Sequence, residues 1–565
     1  MTSNYQEITQ QNTERRGTDF DDIGKFVAEQ LYSDRTHFIY ELLQNAEDAL
    51  SRRIQRQPNS TLPKRVAFRL FSNRLEVSHF GEQFTEADVR GISDVLRGTK
   101  KDDGNQIGKF GIGFKSVYAF TSSPEIHSGD ENFRIERYIR PCAVEPRPLL
   151  AGETLFIFPF NHHSYSPEDT FDRLKNCFNS LSERTLLFLR NVEEISWIVE
   201  NGASETFRRE TQDIYPGCQR ITISGKKPEQ WLVFDKAINA NPALKVEIAF
   251  LLSLDKQTKK ERIVPVNGSH LVVFLPTEIE TDLQFLVQGP YRTTPARDNI
   301  RRDDNFNREL IEHTATLVGE VLPKIRALGL LTVNCLNVFP IRKSDFQKNS
   351  LFSLVFEKVR QTFREQALLP TILDGQYIAA TQAKLARSTD LRRLLSDNQL
   401  RLLYGSTYTW LSDEITQGKT PDIHKYIIEE LEVQEIEPED FARKFSKSFI
   451  EEQTDGWVAS FYAFLNKQEA LWRADGILRN KPFIRLQNDN HVAPFRSEGL
   501  PNAYLPLSTG QKTEFFTIKE EVLENKLVGR DAARFLISLG LSQPDVLDEV
   551  IEKILPKYER CSSNC

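Results

Sequence analysis

A carboxylate, a carboxamide and a second carboxylate stand at i, i+4 and i+7 in the stretch HFIYELLQNAEDAL, residues 37–50. They are Glu41, Asn45 and Asp48, and on a helix that spacing sets all three on one face. The chemistry open to such a face is narrow. A carboxylate can orient and deprotonate a water, and an amide oxygen can hold a hard divalent cation. Together they suit phosphoryl transfer to water, where positioning and charge neutralisation matter more than covalent chemistry. Phe38, Leu42, Leu43 and Ala49 are spread over the remaining circumference, so much of the helix is expected to be buried and its polar groups to need partners. Taken alone, the segment reads as the solvent-facing stripe of an ordinary amphipathic helix.

About sixty residues further on comes IGKFGIGFKSVYAF, residues 107–120. Gly108, Gly111 and Gly113 precede an apolar run with helical character that contains Val117, Tyr118 and Phe120. Clustered glycines let backbone amides approach an anion closely, and a helix starting behind them offers unpaired N–H groups and a positive dipole end. The preceding RGTKKDDGNQ, residues 97–106, has no apolar side chain and is expected to be a mobile lid over a ligand. The spacing is neither G-x-G-x-x-G nor G-x-x-x-x-G-K-S/T, which excludes the two commonest phosphate loops.

The elements that must position these groups follow from the pattern around them. Residues 1–17 read as a flexible lead, and Asp19 to about Gln57 as two helical pieces, FDDIGKFVAEQLY and the opening helix. Val66–Leu70 and Arg74–Ser78 alternate around Ser72-Asn73 as a β-hairpin does, Gly81 allows a tight turn, and Thr85 begins a short helix. GETLFIFPF, residues 152–160, reads as a strand. From Arg220 the runs RITISG, QWLVFD, KVEIAFLLSL and SHLVVFLP are strand-like. A long helix then spans Asn307 to about Leu322, where Pro323 is expected to end or kink it. Beyond residue 345, a proline-entered hairpin pattern (367–380 and 480–494) and a helix, acidic turn, helix pattern (426–445 and 535–554) each occur twice. Both recur after about 110 residues, which suggests a duplicated unit.

In order, ELLQNAEDAL, HFGEQFTEADV, RGTK and IGKFGIGFKSVYAF resemble the nucleotide-binding domain of the GHKL superfamily, and within it the sacsin N-terminal ATPase-like domain. That superfamily takes in DNA gyrase, the ninety-kilodalton heat-shock chaperones, histidine kinases and MutL. The resemblance is good over residues 19–200 and looser over 220–330. It implies an α+β protein: a GHKL-type α/β sandwich at 18–215, a transducer-like α+β domain at 216–345, and two mixed C-terminal modules at 346–470 and 471–565. It also implies ATP and Mg2+ as ligands. Carried over by position, Glu41 is the general base, Asn45 the magnesium ligand and Asp48 part of the wall near base and sugar. Gly81, Gly108, Phe110, Gly111, Gly113 and Phe114 belong to the loops around the nucleotide, Lys100 reaches the phosphates, and Thr154 approaches the adenine. In ARDNI, Arg297 would reach back to the terminal phosphate. From the residues alone, Thr154 reads equally as an ordinary strand threonine. Arg297, with Arg292, Arg301 and Arg302, reads equally as a basic surface loop.

The aspartate that in this superfamily accepts from the adenine amino group is His79 here, and the loop's second glycine is Gln83. A neutral imidazole has one acceptor nitrogen, so adenine binding through His79 is expected to weaken as pH falls through about 6.5.

Composition bounds the rest. The 565 residues suffice for about three to four domains. Hydrophobic residues at 39% and charged residues at 27% exclude a disordered or fibrous chain. A net charge of −7 gives no general attraction to nucleic acid. No apolar run reaches membrane-spanning length, and the polar start lacks a secretory core. The six cysteines are scattered without metal-ligand spacing, which suits a reducing cytoplasm. The expected function is a slow, magnesium-dependent ATPase that closes a lid and moves a second domain. It would be a chaperone-like switch or part of a prokaryotic defence system, with a protein partner or client on the C-terminal modules and room for a homodimer. The alternatives are a scaffold that does not hydrolyse nucleotide and a nucleic-acid-handling ATPase.

Overall fold

The computed structural model describes residues 2–16, 37–94, 113–239, 241–294, 297–347, 350–405, 407–507 and 513–551. The chain forms two compact units, Met1–Val359 and Arg360–Cys565. It is mixed α+β.

In the first unit one 15-stranded mixed sheet runs in the order β14-β13-β15-β11-β10-β9-β8-β7-β1-β2-β6-β3-β4-β5, with β12 (Glu261–Val264) paired to β11. The expected hairpin is β1 (Arg65–Phe71) and β2 (Arg74–His79), in register Leu70↔Leu75 and Phe71↔Arg74. β6 (Thr154–Pro159) lies antiparallel to β2 and places Thr154 opposite His79. β3 (Glu125–Ser128), β4 (Glu131–Glu136) and β5 (Arg140–Ala143) complete that flank. β7 (Glu194–Val199) is parallel to β1, a pairing that needs the long excursion between them.

Alternation explains how the sheet is covered. Val66, Phe68 and Leu70 of β1 and Ile195, Trp197 and Val199 of β7 are all buried, at every second position. The helix α2 (His37–Arg56), a 3₁₀ helix Gly113–Ala119 and α4 (Pro167–Ser180) share their core. α3 is the short helix Glu86–Ser93, begun by a capping box at Thr85. Phe38 meets Phe120 at 4.8 Å between ring centroids, and Phe68 meets Phe178 at 5.4 Å. Phe38, Leu42, Leu43 and Ala49 of α2 are buried, as their spread around the helix requires.

β8 (Ser204–Tyr215) is shared by two halves of the sheet. Its residues 204–208 pair with β7, and 208–215 pair with β9 (Cys218–Ser224), so Arg208 faces Glu194 on one side and Ser224 on the other. β10 (Glu229–Ile238), β11 (Asn241–Leu254), β13 (His270–Val273), β14 (Leu275–Glu280) and β15 (Leu286–Gln288) extend the sheet from there. α5 (Asn305–Ala327) begins at Asp304, whose carboxylate accepts from the amides of Phe306 and Asn307. Of the two expected effects of Pro323, it does not end this helix, which runs on to Ala327. Val321, Leu322 and Ile325 around it are fully buried, and burying three such side chains offsets the roughly 3 kcal/mol that an internal proline costs.

The second unit is described by itself. Its strands are short: Leu369–Pro370 pairs Tyr377–Ile378, and Ile484–Arg485 pairs His491–Val492, both antiparallel. A three-stranded parallel sheet joins Ala383–Ala386 to Thr409–Trp410 and Gln434–Ile436. An aromatic core holds it, with Phe445 and Trp457 each stacked on Phe461 at 5.2 Å. Arg485 is buried and satisfied by Asp455 at 2.6 Å, the Gln453 carbonyl at 2.7 Å and His491 Nε2 at 3.0 Å. Burial, reinforced by the Arg485 charge, pushes the His491 pKa down to about 4.

The flexible lead is not what forms at the start of the chain. Residues Tyr5–Arg16 are a helix, α1. The Tyr5 hydroxyl donates to Glu131 Oε2 at 2.6 Å and accepts from the Asn132 amide at 3.1 Å, and Asn12 donates to the carbonyls of Ile139 and Ser93. Only Tyr5 and Ile8 bury apolar side chains, so no apolar stripe marks the helix in sequence. Tyr5→Phe should lower the stability of this unit by about 1–3 kcal/mol, since it leaves a buried carboxylate oxygen and an amide without their partner. The midpoint of denaturant unfolding reads it, and an unchanged midpoint would mean that α1 adds nothing to the unit.

Candidate functional site

α2 carries the expected face, and its other faces hold the site together. Glu41 and Asn45 are half-buried and Asp48 is 7% exposed. Among the described residues no side chain or backbone group bonds to the Asn45 amide. A half-buried carboxamide left open in this way fits a ligand that brings its own donors or a cation.

One turn along from Glu41–Asn45, Glu47 is nearly fully buried and accepts four hydrogen bonds. They come from the amides of Arg190 (2.9 Å), Asn191 (2.8 Å) and Val192 (2.8 Å) and from Asn191 Nδ2 (2.8 Å). This carboxylate fixes the segment leading into β7. Its only mark in the sequence is an acidic residue on a face predicted to be apolar.

The end of β2 is strapped to the same helix. The Glu82 amide donates to the Ala49 carbonyl at 2.9 Å, Arg53 donates to the Phe80 carbonyl, and Arg56 pairs with Glu82 at 2.5 Å. Gly81 is required by this approach and not by a tight turn. A Cβ there would lie 2.5 Å from the Ala49 Cβ and 2.8 Å from its backbone carbon.

His79 sits at that junction, 4% exposed, and its expected role is corrected. Its Nδ1 accepts from the Gly81 amide at 3.0 Å, so the acceptor nitrogen of the neutral ring is already used and the proton is on Nε2. His79 therefore presents a donor and cannot accept from an adenine amino group. Burial first, then the charges of Arg52 and Arg53, push its pKa down to about 4. The ring stays neutral through the range in which a titration was expected. Thr154, across from it on β6, is fully buried and shares a 2.6 Å hydrogen bond with Ser128 of β3. Ser128 in turn accepts from the Phe84 amide at 3.0 Å. The floor of the site is thus a polar row, His79, Thr154 and Ser128, on three adjacent strands.

Phe114 stands in the aromatic core, 6.0 Å from Phe156 and 6.2 Å from Phe158 between centroids, where it faces other rings. Gly113 opens the 3₁₀ helix. Lys100, Gly108, Phe110 and Gly111, with the expected lid, lie outside the described residues. The neighbouring Lys115, which sequence reasoning passed over, is buried. Its Nζ donates to the Ile92 carbonyl at 2.7 Å and the Tyr138 carbonyl at 3.0 Å.

Arg297 is 9% exposed, so it is no surface loop. Its Nη2 donates to Gln44 Oε1 at 2.8 Å and its Nη1 to the Val273 carbonyl at 3.2 Å. The structure thus brings Arg297 to α2, more than 250 residues earlier in the chain. Among the described residues, no cluster of three or more His, Cys, Asp or Glu could hold a metal by itself.

Comparisons with known proteins bear on the same region. Residues 25–136 match the Sacsin domain family. The chain is 26% identical over 337 residues to Protein NO VEIN of Arabidopsis thaliana, a match that spans 54% of this chain and 12% of that protein. It is 36% identical over 106 residues to Sacsin of Homo sapiens, spanning 18% of this chain and 2% of that protein. The chain therefore corresponds to a small part of each of these relatives. No described helix is long and apolar enough to cross a membrane. The matched span holds α2, the β1–β2 hairpin and the loop at Gly81, so the likeness is to a sacsin-like domain where the polar site is built.

Lys115 gives this site a pH dependence. Burial pushes its pKa from 10.5 down to about 7, with a smaller upward pull from Asp94. Between those values the unfolded chain binds a proton that the folded chain has shed, so stability rises with pH from about 7 towards 10 and is lowest below 7. Lys115→Met should flatten that slope in denaturant titrations at pH 7 and pH 9. Equal slopes in wild type and variant would show that Lys115 keeps its proton in the fold.

Proposed function

We propose that the first unit is a GHKL-type nucleotide domain of the sacsin kind that binds ATP with magnesium between α2 and the polar row His79–Thr154–Ser128, and hydrolyses it slowly. The observation that carries this reading is Arg297. A buried guanidinium from the far half of the sheet is held against the helix that bears Glu41 and Asn45. In the resulting mechanism Glu41 orients and deprotonates the attacking water. Asn45 would hold magnesium, which when bound supplies charge neutralisation at the phosphates. Arg297 offers positive charge where negative charge builds up on the terminal phosphoryl oxygens. Asp48 and Thr154 line the end nearer the base, and Gly81 lets the chain pass close to α2.

His79 contributes a donor to the base and no acceptor for an amino group. That favours weak discrimination among purines, and it is the one observation that favours a second reading, a scaffold with a degenerate pocket. A nucleic-acid-handling ATPase gains no support from the acidic balance of the chain.

The C-terminal unit is proposed to be a duplicated pair of partner-binding modules. Its hydrogen bonds support the duplication. Ser412 N donates to the Pro370 carbonyl and Ile372 N to that of Trp410, while Lys519 N donates to the Arg485 carbonyl and Gln487 N to that of Thr517. The same local exchange thus occurs once beside each hairpin. We propose that a protein client binds there, whether in chaperone-like work or in a defence system.

Glu41→Ala should abolish ATP hydrolysis while leaving ATP affinity within several-fold, whereas Asn45→Ala should lose the magnesium-dependent part of binding. Steady-state turnover and equilibrium titration of both variants decide it, and wild-type turnover in Glu41→Ala would remove the assigned base. The pH profile of nucleotide affinity between pH 6 and pH 8 should also be the same in wild type and His79→Asn, because His79 does not titrate there. A fall in affinity near 6.5 that is present in wild type and lost in His79→Asn would restore the acceptor role.

A further inference from the structure

Gln44 has no part in the carboxylate–amide pattern that first drew attention to α2. It follows Glu41 by three residues and precedes Asn45 by one, at the margin of their shared face. It is 2% exposed, and its carboxamide oxygen is the acceptor that Arg297 reaches from the other half of the sheet. The arginine is presented in a conformation that side chains rarely adopt, with a φ of 57°. Its backbone is fixed on both sides, by Thr294 through the Arg297 amide and by Glu278 through the Arg297 carbonyl. The second guanidinium contact is the Val273 carbonyl, in the turn from β13 to β14. The next residue, Phe274, is also left-handed at 62° and lies under the Arg190 guanidinium, 5.6 Å from its ring centroid. The Arg190 amide is one of the four donors to Glu47. Two residues of α2, three apart, therefore reach one turn of the distant half-sheet by separate routes.

We propose that Gln44 is the positioning residue for Arg297, holding its guanidinium beside the Glu41–Asn45 face until a terminal phosphate takes it over. The choice of side chain supports this. A neutral amide oxygen holds a guanidinium through a single charge-assisted bond, which a phosphate dianion can outcompete with two. A buried carboxylate in the same place would pair with it bidentately and retain it. The inference rests on the nucleotide reading above, and it adds that release from Gln44 is part of reaching the transition state.

The test uses the full chain with ATP and magnesium, and two substitutions that err in opposite directions. Gln44→Met keeps the volume and removes the acceptor. Gln44→Glu keeps the acceptor and over-holds the arginine. Each should lower kcat by about ten-fold while ADP affinity stays within about two-fold, because a misplaced or over-held Arg297 loses its contact with the terminal phosphate in the transition state, and ADP lacks that phosphate. In a double-mutant cycle, Gln44→Met with Arg297→Met should be no slower than Arg297→Met alone. Should Gln44→Met fail to fold, Gln44→Glu decides by the same split. A kcat within two-fold of wild type in the folded variants, or losses that multiply in the double variant, would overturn the proposal while leaving the nucleotide reading in place. A wild-type chain that binds no ATP would overturn both.

Discussion

One helix is held rigidly enough that everything around it can be placed by reference to it. The Glu47 carboxylate, taken out of water and given four donors, costs several kcal/mol to desolvate and is tolerable only because both of its oxygens accept hydrogen bonds. That requirement sets the rotation of α2 about its axis. With the rotation set, Glu41 and Asn45 come to the half-buried face of the helix, Ala49 meets Gly81, and Gln44 meets Arg297. Arg53 and Arg56 then draw the end of β2 onto the last turns of the helix. The polar floor on β2, β6 and β3 is positioned by the same anchoring, since His79, Thr154 and Ser128 follow one another across strands whose register begins at β2.

Electrostatics at the site follow from burial more than from charge pairing. His79 and Lys115 are both held below their ordinary pKa values, and in each the loss of hydration is the larger cause. The two have opposite local consequences. His79 becomes a fixed, neutral donor whose behaviour does not change across physiological pH. Lys115 is brought to the edge of that range, yet both of its carbonyl acceptors can be served by an uncharged amine.

Much of this was legible in the residues, and the gaps have physical reasons. Helix-favouring residues uninterrupted by proline or glycine located α2 in 37–50, alternation located β1 and β2, the run 152–160 located β6, and Thr85 located the start of α3. α1 was missed because Tyr5 and Ile8 alone carry its burial, too few for a period to show. The helix runs on past Pro323 because packing outweighs the local cost of a proline, and only that cost is visible in sequence. For His79 the residue type was plain, but the tautomer depends on an amide two residues away, and only the fold supplies its direction. Gln44 and Glu47 were hidden by their helix neighbours. Their partners lie 253 and about 145 residues away, and nothing in a short window records so distant a contact.

The parallel pairing of β1 with β7 has a consequence for how the chain is made. Arg65 pairs with Glu194, so β1 must wait for about 130 residues of further synthesis before its second edge is covered. At typical elongation rates that is on the order of ten seconds. Early in that interval Val66, Phe68 and Leu70 are sheltered by the β2 hairpin partner and by α2, which leave the ribosome before the 3₁₀ helix and α4 that complete the same core. An early α2–hairpin core, closed by the short Gly81 approach to Ala49, would keep an unpaired apolar strand edge from meeting another nascent chain.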